Sequence, residues 1–140
     1  KAGKAIKEAF LAKTPALAKL IDAVKAKAET HGYLIGLDGR RIHVRSAHAA
    51  LNSLLQCAGA LLAKQALVEF RELIKARNLQ SVVHIVAWVH DEFQIECHAI
   101  HANQVGELAV ESFELAGKHF NFKCPITGEF KVGDTWKDTH

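Results

Sequence analysis

Residues 81–98, SVVHIVAWVHDEFQIECH, decide the fold of this chain. From Val82 to Val89 the residues are almost all apolar and rich in β-branched side chains, which predicts a strand buried on both faces. From Phe93 to Cys97 apolar and polar residues alternate, as in a strand with one buried face. Three ionisable residues separate the two runs and are expected at the turn of an antiparallel hairpin. They are His90, Asp91 and Glu92. Folding gains nothing from two carboxylates and an imidazole at the end of such an apolar strand, so a functional role is the better explanation.

The composition indicates one domain, or part of one, without a membrane segment. The 140 residues are 49% hydrophobic, enough for a core of helices on a sheet. No stretch approaches the length of a membrane span, and the start does not resemble a signal peptide. The formal charge of +3, with nine histidines, permits contact with nucleic acid without requiring it. Three widely spaced cysteines without a CxxC pair predict reduced, mostly buried thiols in a cytosolic protein.

The first 32 residues predict two helices. Lys1 to Lys13 is rich in Lys and Ala, and a second helix is expected to begin at Thr14 as N-cap, with Pro15 at the first helical position. Gly32 suits a left-handed C-cap. The lysines of the second helix lie opposite its apolar stripe. We expect this lysine face to be solvated, with a dedicated phosphate contact as the alternative.

A short hairpin is predicted between Tyr33 and Val44, because apolar residues flank the turn-forming pair Asp38-Gly39. Four cationic or cationisable side chains follow the turn within six residues. They are Arg40, Arg41, His43 and Arg45. They indicate either a charged, solvated strand edge or a ribbon that grips phosphates, and the residues alone favour neither.

The longest helical pattern runs from Ser46, a plausible N-cap, to Ala76, and its Ala- and Leu-rich first half predicts a central, mostly buried helix. Within it His48, Asn52 and Gln56 recur every four residues and therefore share one face. Buried polar side chains without partners cost about 1–3 kcal/mol each. The row is thus either a set of core residues satisfied by backbone groups or, as we favour for an aligned trio, a ligand-facing row.

Beyond the central hairpin the sequence predicts one more helix, from His101 to Lys118. Phe120, Phe122 and Cys124 then alternate, and Phe130 to Trp136 is expected to form a last short strand or an extended tail. The order of elements, with antiparallel strands, predicts an α+β fold in which hairpins pack against long helices.

Several motifs together resemble family A (polymerase I-type) DNA polymerases. Residues 89–92 (VHDE) resemble the family's third conserved motif, which sits at a hairpin turn of the palm. Residues 36–41 (GLDGRR) resemble its hairpin after the fingers, and residues 135–140 (TWKDTH) resemble its C-terminus. Asn52 and Gln56 match the family's Asn-x-x-x-Gln helix, and His48 is typical of the single-subunit phage replicases, to which residues 36–56 are especially similar.

The resemblance implies a partial polymerase palm: residues 1–32 would be helices leaving the fingers, and residues 33–140 the palm with its His-Asp-Glu hairpin. Nucleotidyl transfer in this family uses two Mg²⁺ ions about 3.5–4 Å apart, held by carboxylates. Asp91 would be one ligand. Glu92 would be a secondary ligand or would orient the metal shell, and His90 would contact the primer end.

The resemblance also implies contacts to primer–template DNA. Every base pair presents acceptors in the minor groove, so donors placed there bind DNA of any sequence. His48, Asn52 and Gln56 would supply such donors near the insertion site. The arginines of the short hairpin would hold backbone phosphates. They are Arg40, Arg41 and Arg45.

The family's other metal-binding Asp and the fingers residues that clamp the dNTP have no counterpart in this sequence. We therefore expect the chain to be inactive alone and to need an N-terminal remainder. The chain itself would be an excised piece of a polymerase, the product of a split gene or a remnant in an integrated phage. The uncovered core would favour self-association. The expected location is the cytoplasm of a bacterial or phage-infected cell, without membrane contact.

Two other hypotheses remain open from the residues. One is a non-catalytic module that binds duplex DNA. The other, much weaker, is a structural zinc site at Cys97, His98 and His101, for which no fourth ligand is evident.

Overall fold

The computed structural model describes residues 2–139, within which five α-helices and two separate antiparallel hairpins are formed. The elements in chain order are α1 (Ala2–Lys13), α2 (Pro15–His31), β1 (Tyr33–Ile35), β2 (Arg41–His43), α3 (Ala50–Ala76), β3 (Val83–Val89), β4 (Glu92–Cys97), α4 (Ala102–His119) and α5 (Trp136–Thr139). The chain divides into two compact units, one ending at Ala58 and the other beginning at Gly59, so the boundary falls within α3. Among the described residues, no helix has the combined length and apolarity needed to cross a membrane.

The two N-terminal helices begin and end close to the predicted residues. Pro15 opens α2, but Thr14 does not cap it: its hydroxyl donates to the carbonyl of Phe10, 2.9 Å away, and so closes the end of α1. Gly32 ends α2 as predicted, with φ +72° and its N–H donating to the carbonyl of Ala28 at 2.8 Å. The left-handed conformation favours glycine at this position.

The core of the first unit is small and joins α2, the short hairpin and the start of α3. The buried residues are Val24, Ala28, Leu34 and Ala50, with Ile42, Val44, Leu51 and Leu54 packed around them. Strands β1 and β2 form the predicted antiparallel hairpin around the Asp-Gly turn, with Leu34 opposite Ile42. The hairpin is thereby anchored by its apolar side, which leaves its cationic residues outside.

The helix predicted from Ser46 starts differently and is less buried than expected. Ser46 makes no capping hydrogen bond through its side chain, and a 3₁₀ turn (Ala47–Ala49) precedes the first α-helical residue, Ala50. In the first half of α3, Leu55 is 60% exposed, so the prediction of a mostly buried helix is wrong there. A long helix packed along one side buries only one stripe, and Ala and Leu at the remaining positions reflect helix propensity.

The second unit contains the predicted central hairpin. Strands β3 and β4 pair antiparallel from Val83 opposite Cys97 to Val89 opposite Glu92, with a bulge between Ile85 and Ala87. The core beside it consists of Phe70, Ile74, Leu79, Val83, Val105 and Leu108. Ile95 and Cys97 of β4 pack against this core, and Phe93 stacks on Phe113 of α4 with ring centroids 5.2 Å apart. The alternation of β4 therefore marks its buried face, as predicted.

The prediction that β3 is buried on both faces is wrong for the described residues. Val83 is buried, but Val86 is 59% exposed and Trp88 36%. Within the described chain β3 pairs with β4 alone, and a two-stranded sheet packed on one side leaves its other side open. The apolar run thus produces an exposed apolar strip.

No strand follows α4 in the described chain, so the extended-tail alternative holds and the last predicted strand does not form. The tail packs on α4 through side chains at two glycines. Phe130 lies against Gly106 and Ile126 against Gly117, where a Cβ atom would overlap them. The three cysteines are free, but Cys57 and Cys97 are only half-buried and Cys124 is exposed, so the prediction of mostly buried thiols is wrong. Burial raises the pKa of the Cys97 thiol, which favours its protonated form.

Candidate catalytic loop and nucleic-acid interface

The loop at the tip of the central hairpin is held in an uncommon backbone conformation. His90 and Asp91 form the two-residue connection, since Val89 pairs with Glu92. His90 has φ +57°, in the left-handed region that L-residues occupy at a cost. The indole N–H of Trp88 donates to the carbonyl of His90 at 2.7 Å and braces the turn. Such conformations persist where the surrounding structure requires them, and they cluster at functional sites.

Asp91 is presented to solvent at this tip. Its side chain is exposed, and its carboxylate makes no ion pair or side-chain hydrogen bond with any residue in the range 2–139. A lone carboxylate in an antiparallel turn contributes nothing visible to the fold here. It is available for a cation from outside the described chain.

Glu92 is half-buried and joined to the C-terminal tail. Its Oε1 accepts a short hydrogen bond from Nε2 of Gln94, and Oε1 of Gln94 in turn accepts from the hydroxyl of Thr139 at 3.3 Å. The three side chains form a relay from α5 to the loop. Sequence reasoning missed Gln94 and Thr139; the resemblance of residues 135–140 to the family's C-terminus was the only signal for the tail.

The short helix α5 is fixed by a cap. Thr135 donates to Oδ2 of Asp138 through both its hydroxyl, at 2.7 Å, and its backbone N–H, at 2.9 Å. The pKa of the Asp138 carboxyl is lowered, mainly by the hydrogen bond from the Thr135 hydroxyl and next by the one from its backbone N–H. This arrangement holds the turn that carries Thr139 towards Gln94.

The donor set at the loop fits a hard divalent cation. Asp91 and Glu92 are adjacent carboxylates, and Mg²⁺ prefers one or two carboxylates plus water and phosphate oxygens. No group of three or more His, Cys, Asp or Glu side chains in residues 2–139 is placed to hold a metal ion. The zinc cluster considered at residues 97–101 is therefore not assembled.

The arginines of the short hairpin are placed differently from one another. The guanidinium Nε of Arg40 lies 2.6 Å from Oδ2 of Asp38, and its backbone N–H donates to Oδ1 at 3.2 Å. Desolvation raises the pKa of the Asp38 carboxyl, but these bonds and the charge of Arg40 outweigh it, and the pKa is lowered. Arg41 lies over the ring of Tyr33 at 4.6 Å, and Arg45 is exposed. The cations of Arg41 and Arg45 thus have no carboxylate partner in the described chain.

The polar row lies on the surface, with His48 in the 3₁₀ turn and the two amides on α3. His48, Asn52 and Gln56 are all exposed, so the alternative that they are satisfied core residues is wrong. His48 and Asn52 line one cleft of about 250 Å³ in the first unit, together with residues of α1 and α2. Gln56 lies one helical turn further along α3 on the same face. The structure thus leaves the donor groups of the row available to a ligand.

The larger cleft of the second unit, about 430 Å³, does not include the catalytic candidates. It is lined by side chains of α3 and β3, among them Arg71, Lys75 and His84. The structure therefore brings His90, Asp91 and Glu92 together at the hairpin loop of one unit. The predicted DNA contacts, Arg40 to Gln56, lie on the other unit.

Comparison with known proteins identifies the class. Residues 1–138 match the model of DNA polymerase family A, so the chain belongs to that family. The DNA-directed DNA polymerases of Enterobacteria phage T3 and Escherichia phage T7 are each 36% identical to it over 157 residues. These alignments cover 99% of this chain and 22% of each relative.

A solved structure supports the fold. The POL domain of Pol1 from M. smegmatis, in complex with DNA primer-template and dNTP, superposes with a TM-score of 0.71 at 23% identity, covering 81% of this chain and 22% of that one. The chain thus spans less than a quarter of the length of the relatives it matches.

Proposed function

We propose that this chain is the C-terminal palm part of a template-directed DNA polymerase and that it supplies one of the carboxylates for nucleotidyl transfer. The observation that carries the proposal is Asp91, an exposed carboxylate without a partner in the described chain, at a braced loop in a family A sequence.

Asp91 would hold a magnesium ion, with Glu92 as a secondary ligand. Bound Mg²⁺ would supply Lewis-acid activation of the primer 3′-hydroxyl and stabilise the leaving pyrophosphate. The part of this chain is to hold the carboxylates in place. The bond from Gln94 to Glu92 fixes one carboxylate, and the bond from Trp88 to the carbonyl of His90 fixes the backbone beside the other. The imidazole of His90 would contact the primer end.

The first unit would hold the primer–template duplex. His48, Asn52 and Gln56 offer exposed donors suited to the minor-groove acceptors, which are the same for every sequence. Arg41 and Arg45 would contact phosphates. Arg40 would need to leave Asp38 to do so. Activity would require residues outside these 140, namely a second carboxylate and a clamp for the dNTP.

The test is primer extension by a chimaera. The matching segment of the phage T7 polymerase is replaced by this chain, and extension of a labelled primer is measured with Mg²⁺. We expect extension by the parent chimaera and a loss of about 1,000-fold or more in the Asp91→Asn variant, because several kcal/mol of transition-state stabilisation come from a ligated metal.

The matched control is Glu96→Gln, which removes an exposed carboxylate from the same hairpin and should leave extension unchanged. Equal extension by Asp91→Asn and Glu96→Gln would refute the catalytic role.

A second candidate function, duplex binding without chemistry, is favoured by the exposed donors and unpaired arginines of the first unit. It predicts salt-dependent duplex binding by the 140-residue chain and no extension by the chimaera. Arg45→Ala should then lower the salt dependence of the affinity for duplex DNA.

A further inference from the structure

We propose that the cleft between α1, α2 and the start of α3 binds a backbone phosphate of a nucleic-acid strand through Lys7 and Lys25. The inference rests on the proposed DNA contact of the first unit and deepens it. It adds two residues to that contact, one from each N-terminal helix.

The cleft joins three segments that are far apart in the sequence. Lys7 comes from α1, Lys25 from α2, and His48 and Asn52 from the residues that begin α3. No carboxylate lines it. Two lysines thus line one concave surface of about 250 Å³ together with a histidine and an asparagine. This lining is suited to an anion that also presents acceptors to neutral donors.

Neither lysine has an ionic partner in the described chain. The lysine of α1 that does pair is Lys4, at 3.8 Å from Glu8. Lys25 is half-buried, whereas Lys19 and Lys27 on the same helix are exposed. The prediction of a solvated lysine face therefore holds for Lys19 and Lys27 but not for Lys25. No carboxylate lines the cleft, so an anion there would meet the charges of both lysines without competition from an acidic side chain.

The apolar part of the lining supports the same conclusion. Ile21 and Leu51 are half-buried and form part of the wall. They give the aliphatic stem of a lysine a surface to lie on while its ammonium group remains accessible. They also reduce the amount of water that competes with a bound anion.

A phosphodiester strand fits the surroundings better than a free mononucleotide. Gln56 continues the row of donors beyond the cleft, roughly 6 Å along the helix axis from Asn52. A ligand that uses the whole row must extend past the lysines, as a polymer does. The lysines would position its backbone as point charges, without specifying sequence.

The experiment measures binding of a fluorescein-labelled primer–template duplex to the 140-residue chain by fluorescence anisotropy at several salt concentrations. The test variant is the double substitution Lys7→Ala, Lys25→Ala. The matched control is Lys13→Ala, Lys19→Ala, which removes one exposed lysine from each of the same helices outside the cleft. A charge-keeping variant, Lys7→Arg, Lys25→Arg, separates loss of charge from loss of fold.

Each phosphate contact contributes roughly 0.9 to the slope of log affinity against log salt. We expect the test variant to bind about eightfold more weakly per lysine at 0.1 M salt, with a slope smaller by about 1.8. The control and the arginine variant should bind like the parent. Millimolar dNTP should not displace the duplex from the parent.

Equal affinity and slope for the test variant and the control would overturn the inference and leave the proposed function standing. Displacement of the duplex by dNTP, lost in the test variant, would overturn the choice of a phosphodiester strand. A parent chain that binds no duplex would overturn the proposed DNA contact itself, and the inference with it.

Discussion

Replacing His90 by glycine should separate the structural role of the hairpin loop from its catalytic role. His90 has φ +57°, and a left-handed L-residue costs about 1–2 kcal/mol. Glycine adopts this conformation freely but adds about 0.5–1 kcal/mol of backbone entropy to the unfolded chain. The bond from Trp88 is made to a backbone carbonyl and is kept. We therefore expect the free energy of unfolding to stay the same or rise by about 1 kcal/mol.

The assay is denaturant unfolding of the chain, with His84→Gly as the matched control. His84 is an exposed histidine of the same hairpin whose φ is not positive, so its replacement should destabilise the chain by about 1 kcal/mol. In the chimaera, His90→Gly should slow primer extension about tenfold through loss of one hydrogen-bonding group. If His90→Gly destabilises the chain as much as His84→Gly does, the loop is unstrained and the reasoning fails.

Further predictions concern the tail and its packing. Gly106→Ala should destabilise the chain by about 1–3 kcal/mol, because the new methyl group overlaps the ring of Phe130. The matched variant Gly59→Ala, on α3 with open space around it, should stabilise the chain by up to about 1 kcal/mol, and thermal unfolding of both variants measures the difference. The carboxyl group of Asp138 has a lowered pKa, so its hydrogen bonds to Thr135 stabilise α5 at pH values above the ordinary pKa of 3.8. This stabilisation is lost as the pH falls through the lowered pKa. Amide exchange of Thr135 should therefore be faster in Asp138→Asn than in the parent at pH 6, and the difference should vanish at acid pH; a difference that persists there would contradict this assignment. Gln94→Leu should slow extension by the chimaera about tenfold, since Glu92 loses the bond that orients it, and an unchanged rate would exclude the relay from catalysis.

Both hairpins could be predicted from local sequence because their signals are local. The Asp38-Gly39 turn and the alternation of β4 each specify a backbone geometry within a few residues. The left-handed conformation of His90 could not be predicted, because three ionisable residues were expected at the turn and the sequence did not fix which two of them form the loop. It depends on pairing of the two strands and on the bond from Trp88.

The predictions that were wrong all depended on tertiary packing. An apolar run such as β3 indicates that a strand can be buried on both faces. It does not show whether the described chain contains a second element that covers the other face of the hairpin. The position of Lys25 in a cleft likewise depends on where α3 begins, which the helix pattern of α2 cannot report. The motif residues themselves were found by resemblance, and their exposure and partners came only from the structure.

The most direct test of the account is metal rescue at Asp91. In the chimaera, Asp91→Cys replaces a hard oxygen ligand by a soft sulfur ligand, which binds Mg²⁺ poorly and thiophilic ions well. The account predicts that primer extension with Mg²⁺ alone is lost and that adding Mn²⁺ or Cd²⁺ restores part of it, with Glu96→Cys behaving like the parent. Extension by Asp91→Cys at the parent rate with Mg²⁺ alone would show that this carboxylate holds no catalytic metal.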